Sequence, residues 1–140
     1  MRVVLDTNVL LAALISPHAP PDRIYKAWRA GRFELVTSKL QLEELRRVSK
    51  YPKLKSILPP HRVGTMINNI QHAVVLEELE ALSPELRSND PNDDFLLAMT
   101  QTAQADYLVT GDKRAGLLQR ARLGRTRIVT PARFCALALR

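Results

Sequence analysis

Residues 2–15 read RVVLDTNVLLAALI, and the succession of residue types within them decides the fold. RVVL at 2–5 is a short β-branched and aliphatic run, the signature of a strand. Asp6, Thr7 and Asn8 make a polar turn, and helical periodicity follows over 8–15. The same order of strand, turn and helix recurs after FELV at 33–36, YLV at 107–109 and RIV at 127–129. AVVL at 73–76 is a further strand or an edge. Helices are predicted over 8–15, 22–30, 39–50, 61–70, 92–104, 113–121 and 132–139, with prolines marking the interruptions. The polar segment 83–92, with Pro84 and Pro91, reads as a surface loop. Alternating strands and helices build a mainly parallel sheet covered on both faces. Ligands of such sheets sit beyond the C-terminal strand ends, so the polar residues immediately after the strands are the candidates for chemistry.

The bulk properties narrow the function. A chain of 140 residues, 46% hydrophobic and 25% charged, suits one domain with its own core, so a single domain over 1–140 and a single site are expected. No run of eighteen apolar residues occurs, and Met1 leads straight into a strand without an apolar leader, which predicts a cytoplasmic protein with no membrane partner. Cys135 is the lone cysteine, without the companions of a disulfide or zinc site, and reads as core. The net charge of +7, concentrated over Arg46–Lys55 and Arg114–Arg127, favours a polyanionic partner, because basic residues that neutralise phosphates release condensed counterions.

Four carboxylates stand out, each with a plain structural alternative. Asp6 follows the first strand. It could cap the helix behind it, although Thr7 and Asn8 could do so as well. Glu44, on the helix over 39–50, shares the stripe of Leu40, Leu42, Leu45 and Val48 and so faces inward, whereas Glu43 shares a charged face with Lys39, Arg46 and Arg47. An inward glutamate needs a partner charge or a cation, and a buried salt bridge is the alternative. In DPNDDFLLAM at 90–99, Asp90 and Asp93 suit capping roles around Pro91. Asp94 is surplus to the cap, and the helix dipole alone would tolerate it. Asp112 follows YLV through Thr110 and Gly111, or it caps the next helix. Four acids sharing one cleft raise one another's pKa unless a hard, oxygen-liking cation such as Mg²⁺ or Mn²⁺ compensates them. Such ions activate water and stabilise a leaving oxygen in phosphodiester hydrolysis.

VVLDTNVLLAAL at 3–14, ELVTSKLQLEELRRV at 34–48, NDDFLLAM at 92–99, DYLVTGDKRAG at 106–116 and RIVTPARF at 127–134, in this order, resemble the PIN-domain ribonucleases, in particular the toxins of toxin–antitoxin systems. The resemblance covers nearly the whole chain. It implies a three-layer α/β/α fold with a central, mainly parallel sheet of four to five strands. It also implies Mg²⁺ or Mn²⁺ dependence and endonucleolytic cleavage of RNA. The family's acids fall on Asp6, Glu44, Asp94 and Asp112, with Asp93 as the alternative to Asp94. Asn8 and Thr110 match polar positions that orient the acids or a water. The resemblance further implies a cognate antitoxin filling the acidic cleft, with an arginine as one means, and a homodimer, for which the C-terminal CALALR is a candidate surface. One departure is the basic KRAG at 113–116, where some relatives carry a further acid; this leaves one-metal and two-metal chemistry both open.

Two other readings compete. A non-catalytic nucleic-acid-binding domain would leave the four acids repelling phosphate. A phosphatase with an aspartate nucleophile would want a second acid two residues after Asp6, where Asn8 stands. His18, His61 and His72 lie away from the strand ends, and no Gly-flanked serine occurs, so nucleophilic triads have no support.

Overall fold

The computed structural model describes residues 1–87, 91–111 and 116–139, with the backbone alone for 91–93. Six strands form one sheet in the order β3-β2-β1-β4-β6-β5. They are β1 (Arg2–Leu5), β2 (Glu34–Ser38), β3 (Val74–Leu76), β4 (Tyr107–Val109), β5 (Arg122–Leu123) and β6 (Thr126–Val129). Every pairing is parallel except β5 with β6. The sheet therefore exceeds the expected four to five strands. AVVL does supply the edge strand β3. β5 is a two-residue strand that turns back through Gly124, whose φ of +57° suits a residue without Cβ.

The helices are α1 (Thr7–Ile15), α2 (Pro20–Arg29), α3 (Lys39–Val48), α4 (Pro52–Lys55), α5 (Pro60–Ile70), α6 (Pro91–Ala103), α7 (Leu117–Arg120) and α8 (Pro131–Ala138). Proline opens α2, α4, α5, α6 and α8, where its missing N–H costs no helix bond. The short α4 was not expected, nor was the 3₁₀ turn Pro84–Leu86 within the predicted loop. α7 is shorter than the predicted 113–121, the start of which lies outside the described residues.

Strand alternation sends β1 side chains to two cores. Val3 and Leu5 join residues of α1, α2, α3, α5 and α8, while Val4 joins Leu96, Leu97 and Met99 of α6 and Leu117 of α7. The result is three layers, α/β/α. Helix α1 buries Val9, Leu10, Leu11, Ala13 and Leu14, and is apolar nearly all round because α2 and α3 also pack against it. Cys135 is buried in this core, as expected, and burial pushes its thiol pKa up.

At the N-terminal edge of the sheet Asp106 fastens three segments. Its carboxylate accepts from the Arg2 backbone N–H at 2.8 Å and from Arg125 Nη2 at 2.7 Å. The Arg2 bond holds its pKa below the usual carboxylate range against opposing burial, and Arg125 adds to the lowering. On α2, burial raises the pKa of Asp22, but bonds from Lys26 and the His18 N–H outweigh it and leave it lowered.

Candidate active site

The chain leaves β1 for β2 on one side and, after β3, returns to β4 on the other. The connections therefore diverge between β1 and β4, and such a switch point opens a crevice at the C-terminal strand ends. Asp6 and Thr110 occupy it. Asp6 is only 6% exposed and Thr110 fully buried. The Asp6 N–H donates to Val109 O at 2.9 Å, and Thr110 N–H donates to Val129 O at 2.9 Å, so the parallel ladder continues through both.

The Asp6 carboxylate has two kinds of partner. Oδ1 accepts the backbone N–H of Asn8 at 3.1 Å, and Oδ2 accepts the Thr110 hydroxyl at 2.8 Å. Asp6 itself is the N-cap of α1, which corrects the expectation that Thr7 or Asn8 would relieve it of that duty. Thr7 is already inside the helix, because β1 ends one residue before Asp6 and leaves it the only residue between the two elements. Each bond uses one of the two lone pairs of its oxygen, so capping by itself does not bar a cation. The Asn8 side chain is exposed and only its N–H reaches Asp6.

Asp94 lies in the first turns of α6 and is half-buried. Arg2 Nη1 donates to Ala103 O at 3.2 Å, which sets the last residue of α6 beside the start of β1. From there, the helix back to Asp94 and the strand forward to Asp6 each span about 13 Å at 1.5 and 3.3 Å per residue. These lengths put the N-terminal end of α6, which carries Asp94, toward the end of the sheet where Asp6 stands.

Glu44 is half-buried, at the margin of the inward face of α3. The predicted stripe was mis-phased: Leu40 is 53% exposed, while Gln41, Leu42 and Leu45 are buried. Ser38 sets this phase by capping α3, its hydroxyl accepting the Gln41 N–H at 3.1 Å. Gln41 is a site residue that sequence reasoning missed. Its Nε2 donates to Leu5 O at 2.6 Å, directly before Asp6, and its Oε1 accepts the Thr37 hydroxyl at 2.7 Å. The available signal was a polar residue four positions before the buried Leu45. Glu44 follows Gln41 by one helical turn.

Asp112 lies outside the described residues, and so does the side chain of Asp93. Among the described residues no group of three or more His, Cys, Asp or Glu side chains is close enough to hold a metal. Asp6, Asp94 and Glu44 carry oxygen donors of the kind Mg²⁺ and Mn²⁺ take, but they do not by themselves form such a group.

The sequence matches the PIN domain family over residues 2–114. This chain belongs to that family. A chain in the crystal structure of VapBC2 from Rickettsia felis, bound to a DNA fragment from their promoter, has the same fold. It aligns with this PIN domain at a TM-score of 0.56 and 16% identity, over 93% of this chain and 98% of that one. No curated protein matches the sequence of this PIN domain.

Proposed function

We propose that this PIN domain is a divalent-metal-dependent endoribonuclease, the toxin of a toxin–antitoxin pair, built as one domain with its site at the switch point. The observation that carries the proposal is the buried Asp6 carboxylate, fixed between the α1 cap and the Thr110 hydroxyl at the C-terminal end of a central strand. A structural cap does not need a second, buried donor from another strand. Both donors fix the orientation of the carboxylate, as a metal ligand requires.

In this reading Asp6, Glu44 and Asp94, with Asp112 from the segment after β4, would hold Mg²⁺ or Mn²⁺. When bound, the cation lowers the pKa of a water and offsets charge at the scissile phosphate. The chain's own part is orientation: Thr110 aims Asp6, Gln41 fixes the Leu5 carbonyl beside it, and α6 carries Asp94 in its first turns. The net charge of +7 draws in the RNA. An antitoxin partner is supported by the shared fold with a chain of the VapBC2 complex, and it would cover the acidic crevice.

The test is cleavage of a mixed-sequence single-stranded RNA by purified protein with Mn²⁺ or Mg²⁺, beside EDTA and Asp6→Asn. Asparagine caps as well as aspartate, so the variant keeps α1 while removing the charge. Cleavage that needs the metal and is lost in Asp6→Asn is the expected result. RNA binding without cleavage by either protein would replace this reading with a non-catalytic nucleic-acid-binding domain.

A further inference from the structure

A cleft of about 500 Å³ opens between α7, β6 and α8, lined by Leu118, Arg122, Arg127, Thr130 and Arg133 among others. Three arginines share it, and none of the carboxylates among the described residues lies within salt-bridge distance of them. This contrasts with Arg125, two residues before Arg127, which is paired with Asp106. Arg127 is half-buried, with its guanidinium over the Tyr107 ring at 5.9 Å, whereas Arg122 and Arg133 are exposed. Guanidiniums that face one cavity and that none of the described carboxylates neutralises repel one another, and an anion in the cavity relieves that repulsion.

The position of the cleft says which anion. Thr130 follows the C-terminal end of β6, and β6 pairs with β4, which pairs with β1. With Arg127, and Arg122 paired to it on β5, a further three residues back along β6, the Thr130 end of the cleft is about two strand spacings, roughly 10 Å, from Asp6 along the same sheet edge. At the ~3.4 Å rise of a stacked strand this is about three nucleotides, fewer if the strand is stretched.

We infer that the Arg122–Arg127–Arg133 cleft is a subsite for the sugar–phosphate backbone of a single-stranded RNA, holding nucleotides on the β6 side of the scissile bond. The inference rests on the nuclease reading for its register. It does not rest on that reading for the binding itself. Arginine forks suit phosphate oxygens in two-point contact, and the apolar wall at Leu118 accepts sugar or base faces without selecting among them.

The experiment is fluorescence anisotropy of a labelled, mixed-sequence oligoribonucleotide in EDTA, titrated from low to high NaCl. It compares the full chain with the double variant Arg122→Gln/Arg133→Gln. The control is Lys53→Gln/Lys55→Gln on α4, which changes net charge equally. At about 0.7 released counterions per phosphate contact, the cleft variant should flatten the plot of log K against log salt by about 1.4, and the α4 control should not. Arg122→Lys/Arg133→Lys should recover most of that slope, which a merely misfolded cleft would not. Equal flattening in the two Gln pairs, or none in either, overturns the inference. So does a cleft variant that loses a labelled poly-glutamate peptide while keeping RNA, which would assign the cleft to an acidic protein partner. Cleavage by the wild type is followed in parallel with Mn²⁺. Loss of slope in the cleft variant with no wild-type cleavage leaves the subsite standing and the nuclease reading fallen. Metal-dependent cleavage with unchanged slope does the reverse.

Discussion

Replacing Thr110 by valine tests the connection between fold and site most directly. The substitution exchanges a hydroxyl for a methyl group of nearly the same shape at a fully buried position, so packing is conserved and the bond to Asp6 Oδ2 is deleted. A hydrogen bond to a charged acceptor contributes about 1.5–3 kcal/mol, and a buried oxygen left without its donor bears the cost of desolvation. A loss of about 2 kcal/mol is therefore expected, seen as a lower urea midpoint at constant m value. The second consequence is local. With the Thr110 hydroxyl gone, Asp6 Oδ2 loses a buried donor, while Oδ1 keeps the Asn8 N–H, and the carboxylate is less firmly oriented. Outer-shell deletions of this kind weaken metal binding about 10- to 100-fold. Calorimetric titration of Mn²⁺ into Thr110→Val and Thr110→Ser separates the two effects, because serine restores the donor but not the methyl. A valine variant within about 0.5 kcal/mol of wild type, with unchanged Mn²⁺ affinity, would refute the claim that the hydroxyl holds the carboxylate.

Three more expectations follow from the same bonds. Gln41→Leu removes the donor to Leu5 O and the acceptor for Thr37, both buried, and should cost about 1–3 kcal/mol in chemical denaturation while lowering RNA cleavage through a misplaced Asp6. Asp106 has a lowered pKa in the fold, so the stability it contributes is present above the unfolded carboxylate value of about 3.9 and is lost as pH falls through the lower folded value. Asp106→Asn should therefore flatten the fall in stability between neutral pH and about pH 2, measured by urea unfolding at each pH. The buried Cys135, with its thiol pKa raised, should react with a thiol reagent at pH 8 far more slowly in the folded protein than in denaturant, and equal rates would place it at the surface.

The parts of this fold that show in the sequence are those with a local cause. RVVL, YLV and RIV are β-branched runs that fill a sheet buried on both faces, and prolines at first helical positions fix where α2, α5, α6 and α8 begin. β5 left no such trace, because two residues have no period and their pairing depends on the turn at Gly124. The phase of α3 does not follow apolar type. Leu40 is exposed, and the inward position belongs to Gln41, which satisfies a strand-end carbonyl that no backbone donor reaches in the β1–β2 ladder. Glu44, expected to face inward with the apolar stripe, sits at the margin of that face for the same reason. Asp6 was legible as a candidate, and the family resemblance set Thr110 among the residues that orient the acids, but which acid Thr110 meets was not legible, since nothing local links two residues so far apart in the chain.

That separation also governs timing. The Thr110–Asp6 bond closes a loop of 104 residues, and the Arg2–Asp106 bond fastens the other end of the same strand pair across the same interval. Contacts of such range form late, since the chain entropy of closing them must first be overcome. On a ribosome adding about 5–20 residues per second, Asp6 waits roughly 5–20 s for Thr110 to be made at all. A nascent chain stopped short of β4 has its first acid and its α1 cap but lacks the Thr110 hydroxyl that helps aim the carboxylate. The crevice is completed only when the central strand is fastened at both ends, so any activity of the site begins after most of the chain has been synthesised.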